Sequence, residues 1–314
     1  HRRRSELYTK ESIKEVAIHP FPRPAVLPAR LRIGYFSADF KKHPVSYLMI
    51  KVFETHNRDS FEIFGYSLGN SINDGMRDRL VRGFDVFKEV RDLSGREIAL
   101  LAQKDRIDIA IDLTGYTKQG RPTIFSNRAA PIQINYLGYP GTMGAEFIDY
   151  IIADQNLIPK NCRRFYSESP IYLPHHYQAQ DDELPIAKET PSRESLGLPE
   201  SAFVFCAINN SYKISPSEFE IWMRLLLRVN GSVLWLLETN LWMKSNLSRE
   251  ALSKGVDPDR LIFTQTCGHE EYLARFRQAD LYLDTFIYNA GATASNALWS
   301  GLPVLTKLGE GYTT

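Results

Sequence analysis

Short, nearly continuous apolar runs alternate along this chain with longer stretches in which apolar positions return every three or four residues. The first rhythm marks strands buried on both faces, and the second marks amphipathic helices. Residues 31–36, 61–67, 86–90, 107–113, 132–137 and 148–154 read as strands, with helices over 47–52 and 95–104. Residues 175–200 break the rhythm. They are polar and acidic and carry Pro185, Pro191 and Pro199. A second series then begins, with strands at 203–208, 232–237, 260–264, 280–284 and 303–307. Helices at 216–229, 245–254, 270–278 and 293–300 lie between them.

The expected fold class is α/β, with two doubly wound, Rossmann-like parallel sheets. One unit covers 31–178 and the second covers 201–314, with an interdomain linker at 179–200. Residues 1–30 are basic and then rich in proline (Pro20, Pro22, Pro24, Pro28), so they read as a linker or extended segment. No internal repeat or low-complexity tract is visible.

Composition narrows the classes. A chain of 314 residues has room for two domains, and 43% hydrophobic with 24% charged residues is ordinary for a globular protein. A formal net charge of +1 gives no bulk attraction to nucleic acid or to a membrane surface. No apolar run has the length of a transmembrane helix. The basic start His1-Arg2-Arg3-Arg4 leads into polar residues, so no signal peptide is expected there. Cys162, Cys206 and Cys267 have no metal-ligand spacing, and Cys206 lies in an apolar strand. Free thiols in a reducing, cytoplasmic compartment are expected. The first residue is not Met and the last strand has no helix after it, so the chain reads as part of a longer protein.

The candidate chemistry sits where strands end. After the strand at 203–208 comes Asn209-Asn210-Ser211-Tyr212-Lys213, just before a helix. A lysine between a buried strand and a helix is placed to meet a phosphate and to stabilise charge on it as it leaves. A second turn, Asn289-Ala290-Gly291-Ala292-Thr293-Ala294-Ser295-Asn296, follows the strand at 280–284 and opens another helix. Its small residues allow close backbone approach to an anion. Two such turns suggest a nucleotide diphosphate held between them. In the first half, His43 follows the first strand and is placed to position or deprotonate a substrate group. Gly115-Tyr116-Thr117-Lys118 and Gly138-Tyr139-Pro140-Gly141 follow two further strands and fit substrate-lining loops. No Asp-x-Asp pair closes a strand, so no metal is expected.

The segments Asp39-Phe40 with His43-Pro44, Gly115-Tyr116-Thr117-Lys118, Leu137-Gly138-Tyr139-Pro140-Gly141-Thr142 and Leu298-Trp299-Ser300-Gly301-Leu302-Pro303 resemble the catalytic region of the O-GlcNAc transferase family, including its bacterial and SPINDLY-like members. The likeness runs from about residue 31 to 310. It implies a GT-B fold, two Rossmann-like domains facing across a cleft, and an inverting, metal-independent transfer. The donor implied is UDP-GlcNAc and the acceptor a protein Ser or Thr hydroxyl, with tetratricopeptide repeats ahead of the catalytic region. Carried over by position, Lys213 holds the diphosphate, and His43 lies near the sugar and acceptor. Asn210 stands where a glutamine contacts the donor, and Ala292 and Thr293 stand at two phosphate-binding threonines. The chain departs from the family at Tyr272 (a donor-binding histidine), His269 (a lysine) and Asn296 (an acidic residue on the ribose). Asp112, Tyr116, Tyr139 and Pro140 fall on the acceptor side. The departures leave two alternatives, a SPINDLY-like O-fucosyltransferase using GDP-fucose and a non-catalytic scaffold.

Overall fold

A computed structural model describes residues 2–12, 28–72 and 74–309. The chain divides into two compact units, His1–Glu183 and Leu184–Thr314.

The first unit is built on seven strands: β1 (Leu31–Ser37), β2 (Phe61–Ser67), β3 (Val86–Glu89), β4 (Ile109–Asp112), β5 (Ile132–Asn135), β6 (Tyr150–Ala153) and β7 (Ser169–Tyr172). They lie in the order β3-β2-β1-β4-β5-β6-β7, and every pair is parallel. Helices cover both faces: α2 (Pro44–Thr55), α3 (Gly75–Gly83), α4 (Gly95–Lys104) and α5 (Pro122–Ser126). Phe36, Tyr66 and Ala110 pack with Ile98, Ala99 and Ala102 of α4 and with Ile124 and Phe125 of α5. On the opposite face Tyr35 meets Phe53 of α2 edge to face.

The second unit repeats the plan with five parallel strands in the order β10-β9-β8-β11-β12. These are β8 (Val204–Ala207), β9 (Val233–Leu237), β10 (Leu261–Thr264), β11 (Leu281–Leu283) and β12 (Val304–Leu305). Its helices are α6 (Pro216–Arg228), α7 (Met243–Ser253), α8 (His269–Arg275) and α9 (Ala292–Trp299). The period of two is visible in the packing. Phe205, Ala207, Leu234 and Leu236 face Trp222 and Met223 of α6 and Met243 and Ala251 of α7. Val204, Cys206, Val233 and Trp235 face the other way, onto Phe276 and onto Ala297 of α9. Trp222 and Trp235 are among the largest fully buried side chains. Burying one apolar side chain of this kind contributes roughly 1.5–3 kcal/mol.

Three elements escape the apolar rhythm. The segment expected to be extended at 1–30 is helical over Arg2–Ser12, here α1. Its contact is made by a small polar residue: Ser5 is buried, and its hydroxyl donates to the Thr142 carbonyl at 3.2 Å. Gly144, at φ +58°, leaves the room, since a Cβ there would lie 2.7 Å from Ser5 Cβ. Pro20, Pro22 and Pro24 lie outside the described residues. Helix α3 begins at a glycine and buries Arg77 beside Met76 and Leu80, so its apolar stripe is thin. Strand β7 contains Pro170 and forms a sheet edge, where a missing N–H is tolerated.

The expected linker 179–200 is not a free connection. It packs with the first unit as far as Glu183, where Arg79 binds the buried Asp181 at 2.7 Å. From Leu184 it packs with the second unit, burying Leu184 and Leu198, and the Ala187 N–H donates to the Glu270 carbonyl.

Both sheets reverse strand order once, between β1 and β4 and between β8 and β11. At such a switch point the loops leaving the carboxyl ends diverge, and ligands of open α/β sheets bind there. The β5 loop folds back so closely that a Cβ on Gly138 would lie 1.8 Å from the Leu113 carbonyl oxygen after β4. Gly138→Ala is therefore expected to destabilise the chain by about 2 kcal/mol, as overpacking does. Urea unfolding checks this, and an unchanged midpoint would show that the loop can yield.

Candidate active site at the two switch points

In the second unit the chain leaves β8 through Asn209 and Asn210 into a short 3-10 turn, Ser211–Lys213, before α6. Lys213 therefore stands outside the helix, and Ser215 is the N-cap. The Lys213 N–H donates to the Asn210 carbonyl at 3.0 Å, so one turn holds both candidate residues. Lys213 Nζ donates to the Asn289 carbonyl at 2.9 Å and lies 4.1 Å from the centre of the Tyr288 ring. The lysine thus spans the switch point from the β8 loop to the β11 loop. Burial lowers its pKa and the field of Asp284 raises it, with a net fall. Among the described residues Lys213 makes no ion pair.

The β11 loop is pinned from inside by Asp284, which is buried. It accepts from the N–H groups of Thr285 and Ala290, each at 2.8 Å, and from Asn289 Nδ2 and Thr306 Oγ1. Gly291 caps α9 at φ 50°, ψ −119°, a conformation that glycine adopts readily. The first-turn N–H groups of Thr293 and Ala294 donate to Ala290 and Gly291. This helix start consequently offers an anion fewer free donors than a bare one would, and Ala292 adds no hydroxyl.

The remaining donor-side candidates converge. Tyr272 of α8 is buried with the Thr293 and Asn296 side chains of α9 beside its hydroxyl, and its ring stacks on His269 at 5.9 Å between centres. Burial pushes His269 down to about 4, so it is neutral near pH 7 and supplies no charge.

Glu218 was not anticipated. Its side chain is fully buried in the first turn of α6, where it completes a capping box with Ser215. Its Oε1 accepts from the Phe286 N–H and from the Ile287 N–H at 3.2 Å, while Oε2 accepts from the Ser215 N–H. One carboxylate thus joins the lysine turn to the β11 loop. Burial pushes its pKa up, but the Ser215, Phe286 and Ile287 hydrogen bonds hold it below the usual carboxylate value. The spacing Ser215-x-x-Glu218 was the available signal.

In the first unit His43 is the N-cap of α2. Its Nδ1 accepts from the Val45 N–H at 3.3 Å, with Asp39 Oδ2 at 3.7 Å. Burial lowers its pKa, Asp39 raises it and Lys41 lowers it, with a net fall. A neutral ring that accepts at Nδ1 carries its proton on Nε2. The exposed edge of His43 is therefore a donor, which favours positioning a substrate oxygen over deprotonating it. Its loop is held by two residues the sequence reading passed over. Asp74 caps α3 through the Arg77 N–H and also takes the Lys42 N–H at 3.0 Å. Buried Arg77 donates to the Phe40 carbonyl at 2.7 Å and pairs with Glu89.

Asp112 ends β4 next to the β1 exit and is buried. Its Oδ1 accepts from the Thr114 and Gly115 N–H groups, each at 2.9 Å, and Oδ2 has no hydrogen-bond partner among the described residues. Burial lifts its pKa to about 6 against the pull of those amides. Tyr116 and Tyr139 meet edge to face at 5.4 Å, and Pro140 sits in a tight turn closed by the Gly141 N–H on the Tyr139 carbonyl. Tyr116 is partly covered by α1, through Tyr8 at 5.1 Å between ring centres and Thr9 at 2.8 Å. His43 and Lys213 belong to different compact units. Among the described residues no three His, Cys, Asp or Glu side chains could hold a metal together, and no helix is long and apolar enough to cross a membrane.

Two parallel α/β units, each with polar loops gathered at its switch point, define a chain of the GT-B glycosyltransferase fold class. It belongs to glycosyl transferase family 41, whose profile matches residues 8–188 and 175–313. It is 38% identical over 299 residues to the probable UDP-N-acetylglucosamine–peptide N-acetylglucosaminyltransferase SEC of Arabidopsis thaliana. That match covers 91% of this chain and 31% of SEC, so the chain spans about a third of this relative's length. The O-GlcNAc transferase of Thermobaculum terrenum, solved as a mutant, superposes with a TM-score of 0.89 at 28% identity, over 99% of this chain and 59% of that one. HepE of Anabaena, solved with UDP and glucose, shares the fold at 13% identity and a TM-score of 0.56, over 88% of this chain and 80% of its own.

Glu218→Ala should destabilise the chain by about 3 kcal/mol, because three backbone donors lose their acceptor at about 1 kcal/mol each. Denaturant unfolding measures this, and a loss under 1 kcal/mol would mean that the loops are held otherwise. For Asp112 the folded chain keeps its proton to a higher pH than the unfolded chain does. Its contribution to stability therefore falls as pH rises from about 4 to about 6 and is lowest above that window. Asp112→Asn should raise the unfolding free energy at pH 8 by the order of 2 kcal/mol, and by less at pH 5. An equal gain at both would show that charge is not the cause.

Proposed function

We propose that this chain is the catalytic region of a protein O-glycosyltransferase that moves GlcNAc from UDP-GlcNAc to Ser or Thr hydroxyls, with inversion and without a metal. The observation that carries this is Lys213. It is a half-desolvated cation bridging both loops of one switch point, and among the described residues it makes no ion pair. A desolvated cation favours an anionic partner, and a diphosphate is the anion expected at such a position. The printed name of SEC supports a UDP-linked sugar and a peptide acceptor.

On this reading the acceptor hydroxyl attacks the anomeric carbon in line and releases its proton to solvent water. The bond from that carbon to the diphosphate oxygen breaks, and its electron pair leaves with UDP. Lys213 stabilises the charge that develops on the departing oxygen. Tyr272, Thr293 and Asn296 form the hydrogen-bonding wall for the nucleoside, and Asn210 lies beside the diphosphate. Neutral His269 leaves Lys213 as the main cation on the donor side. His43 donates from Nε2 to an oxygen on the acceptor side, where Asp112 closes the base of the sheet edge.

Thermal shift with UDP and with GDP tests the donor. A ligand at 100 times its dissociation constant should add about 2.7 kcal/mol of stability. UDP should stabilise the chain, GDP should not, and Lys213→Ala should abolish the shift and reduce transfer at least about 100-fold. Stabilisation by GDP alone would replace the donor with a GDP-sugar. No shift with either nucleotide, with Lys213 intact, would favour a non-catalytic scaffold.

A further inference from the structure

Helix α1 and the loops after β4 and β5 enclose a pocket of about 280 Å³ in the first unit. Arg4 and Tyr8 come from α1, Gly115, Tyr116 and Thr117 from the β4 loop, and Tyr139 from the β5 loop. The wall is pre-organised. Tyr116 donates to the Met143 carbonyl at 2.9 Å and shares a hydrogen bond with Thr9, so its ring cannot swing away. Tyr8 and Tyr139 each stand edge-on to Tyr116, at 5.1 and 5.4 Å. Three tyrosines in a row thus make one apolar wall.

The polar groups left over are donors. Among the described residues Arg4 has no ion-pair or hydrogen-bond partner, and neither do the Tyr8 and Tyr139 hydroxyls. Two carboxylates close to α1 are already engaged. Glu6 pairs with Arg2 at 2.9 Å, and buried Glu168 takes the Thr142 hydroxyl and the Met143 N–H. Among the described residues Arg3 and Arg4 of α1 make no ion pair. A guanidinium beside free phenol hydroxyls is a fork for a carboxylate, and the tyrosine wall suits the aliphatic stem that carries one. Gly120 and Pro122 close the far side with little bulk, which leaves room for an extended backbone.

We infer that this pocket seats an acidic side chain, glutamate or aspartate, of the acceptor protein and so sets a preference for acidic sequence near the modified hydroxyl. This rests on the reading of the chain as a protein-acceptor transferase. It adds α1 to the surface that selects substrate, and it makes Arg4 a specificity residue rather than a catalytic one.

The test is fluorescence anisotropy of a labelled Ser/Gly/Ala peptide carrying one Glu, against its Gln counterpart, on the 1–314 chain. The Glu peptide should bind at least about tenfold more tightly at low ionic strength. That preference should shrink at about 1 M salt, where the Debye length is about 3 Å. Arg4→Gln changes an exposed residue and should erase the preference without altering circular dichroism. Tyr139→Phe should weaken it. Equal binding of the two peptides, or a preference that survives Arg4→Gln, overturns the proposal. Transfer of sugar to both peptides with equal KM sinks the pocket and leaves the transferase reading standing. A Glu preference without any transfer does the reverse.

Discussion

Both sheets depend on the same constraint. A parallel strand that ends inside a protein hands the chain to a loop whose amide groups are cut off from water and must still be bonded. This molecule meets that need with buried carboxylates. Asp112 takes the Thr114 and Gly115 amides after β4, and Asp154 takes those of Asn156 and Leu157 after β6 and that of Tyr177 after β7. Asp284 holds the loop after β11, and Glu218 reaches from α6 to the same loop. Each group accepts from several backbone donors, which offsets the cost of removing its charge from water. Asp112 has only two amide donors and one oxygen without any, and its pKa rises accordingly.

These anchors also decide where chemistry can happen. Because Asp284 and Glu218 fix the β11 loop, the Asn289 carbonyl and the Tyr288 ring stay where Lys213 can use them. Because Asp74 and Arg77 hold the backbone around Phe40 and Lys42, the His43 cap keeps its Nδ1 on the Val45 N–H. The functional candidates are therefore the visible tips of buried ionic frameworks.

Much of this was legible beforehand, because burial on both faces of a parallel strand forces a continuous apolar run. The strands other than β7 could be read from such runs, as could α4 at Gly95–Lys104 with its Ser94 capping box. Lys213, Asn289 and Gly291 stood out because a strand, a polar turn and a helix follow one another in sequence. Glu218 was less conspicuous, since a glutamate after a serine cap also occurs on exposed helices. Arg77 and Asp74 were missed because a buried arginine looks, in sequence, like any surface arginine. Helix α1 was missed because its contacts run through Ser5 against Gly144 and through Tyr8 and Thr9 against Tyr116, which leaves no aliphatic stripe.

The sequence by itself determined the α/β class, the two βα series and the positions of the strand-end loops, because these follow from local periodicity and turn chemistry. Tertiary structure alone decided the strand orders β3-β2-β1-β4-β5-β6-β7 and β10-β9-β8-β11-β12, and with them the switch points that bring residues 213 and 289 together. It also decided the lowered pKa of His269, the Nδ1 hydrogen bond of His43 and the raised pKa of Asp112. The physical reason is the same in each case. A side chain's environment is set by what distant segments place around it, and periodicity along the chain carries no information about that.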